Sequence, residues 1–139
     1  MTDYDLTKPS EFIQYLDASN LYGWSMSQKL PTHGFKWKKD LTVKKVIEIL
    51  NQRNSNRGYI FEVDLEYPEN RWELHNDYPH APEKFKIDKT EKLIGNFYPK
   101  LNYVLHYKNL KQYLNLGLKL TAVHRGMSFY QSPWMKPYI

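Results

Sequence analysis

The chain has 139 residues, 41% hydrophobic and 25% charged, the balance of one globular domain and too short for a multidomain enzyme. Twenty Lys and Arg against 15 Asp and Glu leave a net charge of +5 and a sequence pI of about 9.2, which favours phosphate-bearing partners. Cysteine is absent, which excludes disulfides, thiolate metal sites and cysteine nucleophiles and suits an intracellular protein. The first 20 residues lack the basic start and apolar stretch of a signal peptide, and no run reaches the roughly 18 apolar residues of a membrane span. Twelve Tyr, six Phe and four Trp must fill a core or stack on something that is not protein.

Residues 1–10 read as a polar lead-in, and Glu11–Asp17 as a strand of aromatic and branched residues ending in an acid. Asn20–Gln28 reads as a tight turn or single helical turn, closed by Pro31 and Gly34. Val43, Val46, Ile47 and Leu50 recur at the spacing of an amphipathic helix, capped by Asp40 or Thr42 and ended by Asn51–Gly58. Tyr59–Tyr67 alternates Tyr59, Phe61, Val63 and Leu65 with Glu62, Asp64 and Glu66, the pattern of a half-buried strand whose acids face solvent at a sheet edge. Glu69–Pro99 reads as a long excursion of loops with a short element near Glu91–Gly95. Asn102–Tyr107 as a strand, Asn109–Leu116 as a helix ended by Gly117, and Leu118–Tyr130 as a strand make a β-α-β unit. Ser132-Pro133 is a helix start signal that Ile139 cuts short. The expected fold is α+β: a mixed or antiparallel sheet with Glu11–Asp17 beside Tyr59–Tyr67 and Leu118–Tyr130, helices on one face, incomplete at the C-terminus.

The stretch Tyr15-Leu16-Asp17-Ala18-Ser19-Asn20-Leu21-Tyr22-Gly23 carries the chemistry. A carboxylate at a strand exit can hold a hard cation, free turn amides can cradle phosphate oxygens, and a ring can form a wall under a sugar and base. That combination suits a nucleoside triphosphate with magnesium. An Asp at a strand end also serves as an ordinary turn or cap residue.

This stretch resembles the first palm motif of family B DNA polymerases, Asp-x-x-Ser-Leu-Tyr-Pro. It is closer to the variant Tyr-Leu-Asp-x-Asn-Asn-Leu-Tyr-Gly-Trp of protein-primed polymerases from viruses, linear organellar plasmids and large DNA transposons. Asp17, Leu21, Tyr22, Gly23 and Trp24 match the variant, with Ser19 replacing an Asn. Asp77-Tyr78-Pro79, Ala81-Pro82-Glu83-Lys84, His106–Leu110, Gly117–Leu120, His124-Arg125 and Gln131–Ile139 resemble the same group in order toward its fingers. The resemblance covers residues 11–139 and implies a partial palm with an irregular insertion at about 69–99. It implies that Asp17 is one of two catalytic carboxylates binding two magnesium ions (Mg2+), with the Ala18 carbonyl completing a metal shell. Ser19, Asn20, Leu21 and Tyr22 would bind the deoxynucleoside triphosphate, with Tyr22 packing under the deoxyribose. His124 and Arg125 would contact primer or template phosphates. The implied partners are a DNA template-primer, dNTPs, a terminal protein primer and the remainder of the polymerase, with no membrane and a compartment set by the host element.

The family's second motif, Lys-x-x-x-Asn-Ser-x-Tyr-Gly, is absent: Asn54-Ser55 has Leu50 in the lysine position. Its third, Asp-Thr-Asp, has no counterpart after Asp17, and Asp3-Tyr4-Asp5 reads as a polar terminus. The expected entity is therefore a palm fragment with half a metal site, inactive alone. The alternative is a small, basic, aromatic-rich, non-catalytic nucleic-acid-binding module in which Asp17 has no chemical role. Lys36, Lys38, Lys39, Lys44 and Lys45 around Trp37 could grip a phosphate backbone or be a solvated face, and Tyr98, Tyr103, Tyr107, Tyr113 and Tyr130 read mainly as packing residues.

Overall fold

A computed structural model describes residues 7, 9, 13–53 and 55–139. The fold is α+β: a four-stranded antiparallel sheet, a separate two-stranded hairpin and four short helices. In chain order the elements are α1 (Leu21–Met26), β1 (Leu30–Lys38), α2 (Val43–Leu50), β2 (Arg57–Glu66), α3 (Trp72–His75), β3 (Glu83–Ile87), β4 (Thr90–Ile94), β5 (Lys100–His106), α4 (Tyr107–Asn115) and β6 (Lys119–Ser132).

The sheet order is β1-β6-β2-β5, and every neighbouring pair is antiparallel. Strands β1 and β2 are therefore parallel with β6 between them, and β5 and β6 are parallel with β2 between them. Two split β-α-β units interlock. Their connecting helices are α2 and α4, and the right-handed rule for such crossovers puts both on one face. The two helices touch each other as well as the sheet. The core lies in that layer: Tyr59, Phe61, Val63 and Leu65 of β2 pack with Val46 and Leu50 of α2, Leu105 of β5 and Leu110 of α4.

Helix α2 forms as expected and buries Val46 and Leu50 of its sequence stripe, but Ile47 is exposed and Ile49 packs on the core in its place; Thr42, not Asp40, caps the helix by accepting the Lys45 N–H at 3.2 Å. Helix α4 begins two residues earlier than expected because His106 caps it, Nδ1 accepting the Lys108 N–H at 3.3 Å. Burial, with Lys108 adding to it, holds the His106 imidazole below the ordinary histidine range. Lys100 is buried at the start of β5, its ammonium 3.2 Å from Glu83, and joins the hairpin to the sheet. Tyr103 adds a second tie by donating to the Pro82 carbonyl at 2.7 Å, and its burial, then Tyr113 and Glu83, pushes its pKa up to about 12.

Five expectations are corrected. Residues 13–17 form no strand and are exposed, so this part of the expected Glu11–Asp17 strand does not lie beside β2; the neighbours of β2 are β5 and β6. Glu11, Phe12, Asp3-Tyr4-Asp5 and the lead-in, except Thr7 and Pro9, lie outside the described residues. Pro31 and Gly34 do not close a turn but belong to β1, where an edge position tolerates the missing proline N–H. Gly34 has φ +71° at an irregularity in the pairing with β6, and a Cβ there would lie 2.5 Å from the Tyr130 ring.

The 69–99 segment is not mainly loop, since it holds α3 and the β3–β4 hairpin, though β4 matches the element expected near Glu91–Gly95. Strand β2 is central, not an edge. The expected C-terminal helix is a 3-10 turn, Lys136–Tyr138. Pro137 has no N–H to bond the Pro133 carbonyl, so Lys136 donates to Pro133 at 3.1 Å and Tyr138 to Met135 at 3.0 Å.

Two outcomes test this layering. Phe61 is fully buried, so Phe61→Ala should lower the unfolding free energy in urea by about 3–5 kcal/mol, whereas Ile60→Ala on the opposite face should stay within about 1 kcal/mol of wild type. Because the folded state disfavours His106 protonation, it binds fewer protons than the unfolded chain as pH falls below about 6.5. The thermal midpoint should fall between pH 7 and pH 5.5, and His106→Asn, a non-titrating cap, should flatten that fall.

Candidate functional site

The first-motif segment is held by its own short-range bonds. Asn20 adopts the left-handed conformation (φ 54°, ψ 45°), which Asn tolerates better than most residues, and its side-chain oxygen accepts the Gly23 N–H at 3.1 Å. A Cβ on Gly23 would lie 2.4 Å from that oxygen, so the glycine two residues after Leu21 is what lets the cap close. Trp24 N–H then bonds the Asn20 carbonyl at 3.0 Å and starts α1. The N–H groups of Leu21 and Tyr22 have no acceptor among the described residues.

Asp17, Ala18 and Ser19 are exposed on the approach to this turn, and Tyr22 projects with 86% of its surface free. The sequence residues Asp17, Ala18, Ser19, Asn20, Leu21 and Tyr22 thus form one contiguous exposed run ending on a helix. Ile13, Tyr15 and Leu16 before it are large, apolar and uncovered. Among the described residues no group of three or more His, Asp or Glu side chains is placed to hold a metal ion.

His124 and Arg125 lie elsewhere, on the sheet face opposite the helices. Register pairs Glu62 with Arg125 and Val63 with Val123, so β6 carries one extra residue, His124. That bulge turns two consecutive basic residues toward the acids of β2. Arg125 pairs with Glu62, and His124 Nε2 lies 2.7 Å from the Asp64 carboxylate. Asp64 also accepts the Asn102 N–H at 2.8 Å, and that bond, then His124, holds its carboxyl below the usual carboxylate range.

The Arg125 guanidinium sits 5.2 Å above the centre of the Trp37 ring. Trp37, Ile60, Val104 and Met127 with Arg125 line a shallow groove of about 170 Å³ on this face. Trp37 lies opposite Met127, whereas Lys36 and Lys38 lie opposite Ser128 and Gly126. Ring and lysines therefore point to opposite faces and do not form one grip. Sequence spacing could not find the Trp37–Arg125 contact, because it depends on β1 being a strand and on the bulge in β6. Of the tyrosines, Tyr103, Tyr107 and Tyr113 pack on the core, while Tyr98 and Tyr130 are exposed.

Comparison of the chain with protein-family models, with curated proteins and with solved structures finds no match. Among the described residues no helix is long and apolar enough to cross a membrane.

The cap geometry is open to measurement. Asn20→Ala loses both the cap and the tolerated left-handed backbone, a combined penalty of about 1–3 kcal/mol on α1, and should speed amide exchange at Gly23 and Trp24. Asn20→Gly keeps the backbone conformation and should speed exchange much less.

Proposed function

We propose that the chain carries the first palm motif of a protein-primed family B DNA polymerase, followed by the insertion that this group places between its first and second motifs. The observation that supports this reading is the division of the chain. An exposed Asp17–Tyr22 run closes on a short capped helix, and an independent sheet layer begins at Leu30. On this reading the insertion is the 69–99 segment, which holds α3 and the β3–β4 hairpin.

In the polymerase reading Asp17 is a catalytic carboxylate, the free N–H groups of Leu21 and Tyr22 face a dNTP triphosphate, and the exposed Tyr22 ring takes the deoxyribose. The described residues by themselves do not fit a two-metal magnesium centre, because Asp17 is one exposed acid and no cluster of three ligands surrounds it. The second carboxylate and the phosphate-binding lysine belong to motifs that the family places beyond this segment. DNA and a terminal protein primer are the partners in this reading. A phosphate reaching Arg125 competes with Glu62, and one reaching His124 competes with Asp64.

The second reading, a non-catalytic nucleic-acid-binding module, is favoured by the Trp37 ring, which is 59% exposed beside Arg125 on the uncovered sheet face. One substitution separates the two. In the polymerase reading magnesium strengthens dNTP binding, and Asp17→Asn removes that gain, about tenfold or 1.4 kcal/mol, with DNA affinity unchanged. Nucleotide binding indifferent to both magnesium and Asp17 leaves only the binding module. The 139-residue chain alone should give no templated incorporation on a primed DNA; incorporation by it contradicts the half-site reading.

A further inference from the structure

On the helix side of the sheet, between the C-terminal end of α2, the start of β2 and the first turn of α4, lies a pocket of about 390 Å³. That is within the range of roughly 300–1,000 Å³ typical of small-molecule sites. Among the described residues five cationic side chains line it, Lys29, Arg53, Arg57, Lys108 and Lys111, and no acid does. Ile49, Leu50, Tyr59 and Tyr107 give it an apolar floor.

Elsewhere among the described residues three bases are ion-paired: Arg125 with Glu62, Lys100 with Glu83, Lys84 with Glu91. Here Arg53, Lys108 and Lys111 have no carboxylate partner among the described residues, and Arg57 is engaged with Tyr130, over its ring and through a bond to its hydroxyl at 2.9 Å. Lys108 is also placed against the helix's own field, in the first turn at the positive end of the nine-residue α4, with no acidic residue in that turn, and Lys111 follows one turn later on the same face. Concentrated like charge of this kind is relieved by an anion.

The carbonyl end of α2 meets the same pocket and opposes an anion, and Arg53 just beyond it offsets that end. A further donor is aligned: the Tyr107 hydroxyl accepts from the Gln131 side-chain amide at 2.8 Å, which leaves its own proton to donate.

We propose that this pocket binds the phosphates of a nucleotide, with the phosphoryl groups among Arg53, Lys108 and Lys111 and the sugar or base against Ile49, Leu50 and Tyr59. The site goes beyond the polymerase reading, since neither Asp17 nor Tyr22 lines it. The same chemistry is offered by a free nucleoside triphosphate and by a nucleotide within a single DNA strand, and the test separates the two sources.

The whole chain is titrated calorimetrically with dATP and, separately, with a single-stranded 12-nucleotide DNA, both in EDTA so that magnesium-dependent binding at the first motif is silent. Four proteins are compared: wild type, Lys108→Gln/Lys111→Gln, Arg53→Gln, and Lys86→Gln/Lys89→Gln on the hairpin as a control for net charge. The first pair are exposed, and Lys108 opposes the field of α4, so their removal leaves the fold intact, which circular dichroism checks. The expected result is a dissociation constant weakened about tenfold or more by Lys108→Gln/Lys111→Gln, a smaller loss in Arg53→Gln and little change in the hairpin control. Tighter binding of dATP than of the oligonucleotide assigns the free nucleotide, and the reverse assigns the strand. Absence of binding to wild type, retained affinity in Lys108→Gln/Lys111→Gln, or an equal loss in the hairpin control overturns the proposal. Asp17→Asn should leave this titration unchanged whether or not the first motif works as proposed.

Discussion

The pairing of β2 with β6 is the constraint on which the rest depends. It joins the two longest strands, runs from Arg57 opposite Tyr130 to Glu66 opposite Lys119, and contains two register irregularities. Because strand side chains alternate, this ladder sorts the molecule into a face of Tyr59, Phe61, Val63 and Leu65 under the helices and a face of Ile60, Glu62, Asp64 and Glu66 away from them. Each strand of the pair is also the middle member of the other's β-α-β unit, so neither unit closes without it. At Gly58 and Gly126 the ladder leaves no room for a Cβ, since the Phe129 and Phe61 rings occupy that space.

The bulge at His124 is the device that gives the uncovered face its character. Without the extra residue, alternation would send His124 and Arg125 to opposite faces. With it, both meet acids of β2, and Arg125 also covers Trp37. A row in which Glu62 is paired with Arg125 and Asp64 bonds His124, beside an exposed ring, is a different surface from the solvated acidic edge that the bare alternation suggests. The first-motif turn stands apart from this layer and owes its form to Asn20 and Gly23, so a change in one need not disturb the other.

Much of the fold was legible because its signals are local. The alternation of Tyr59 to Leu65 and the stripe Val43, Val46, Ile47 and Leu50 both state a period and a face; the former ended in the core, and so did Val46 and Leu50 of the latter, while Ile47 is exposed. What was not legible depends on partners distant in sequence. Strand β1 carries Pro31 and Gly34, which read as punctuation unless an edge position and a bulge are already known. The β3–β4 hairpin turns through Asp88 and Lys89 with no glycine, Asp88 itself taking φ 55°. Residues 13–17 have the composition of a strand, yet composition yields a strand only where a ladder partner exists, and the described residues provide none. For the site, the Asp17–Tyr22 run was visible as a motif, whereas the cations around Tyr107 come from four separate segments and have no linear pattern.

The most direct measurement of the polymerase account is the sequence of the coding DNA downstream of the codon for Ile139. The account predicts an open frame that continues into Lys-x-x-x-Asn-Ser-x-Tyr-Gly and then Asp-Thr-Asp, which brings a second carboxylate to Asp17. A stop codon followed by unrelated sequence would contradict it and leave nucleic-acid or nucleotide binding as the function of this chain.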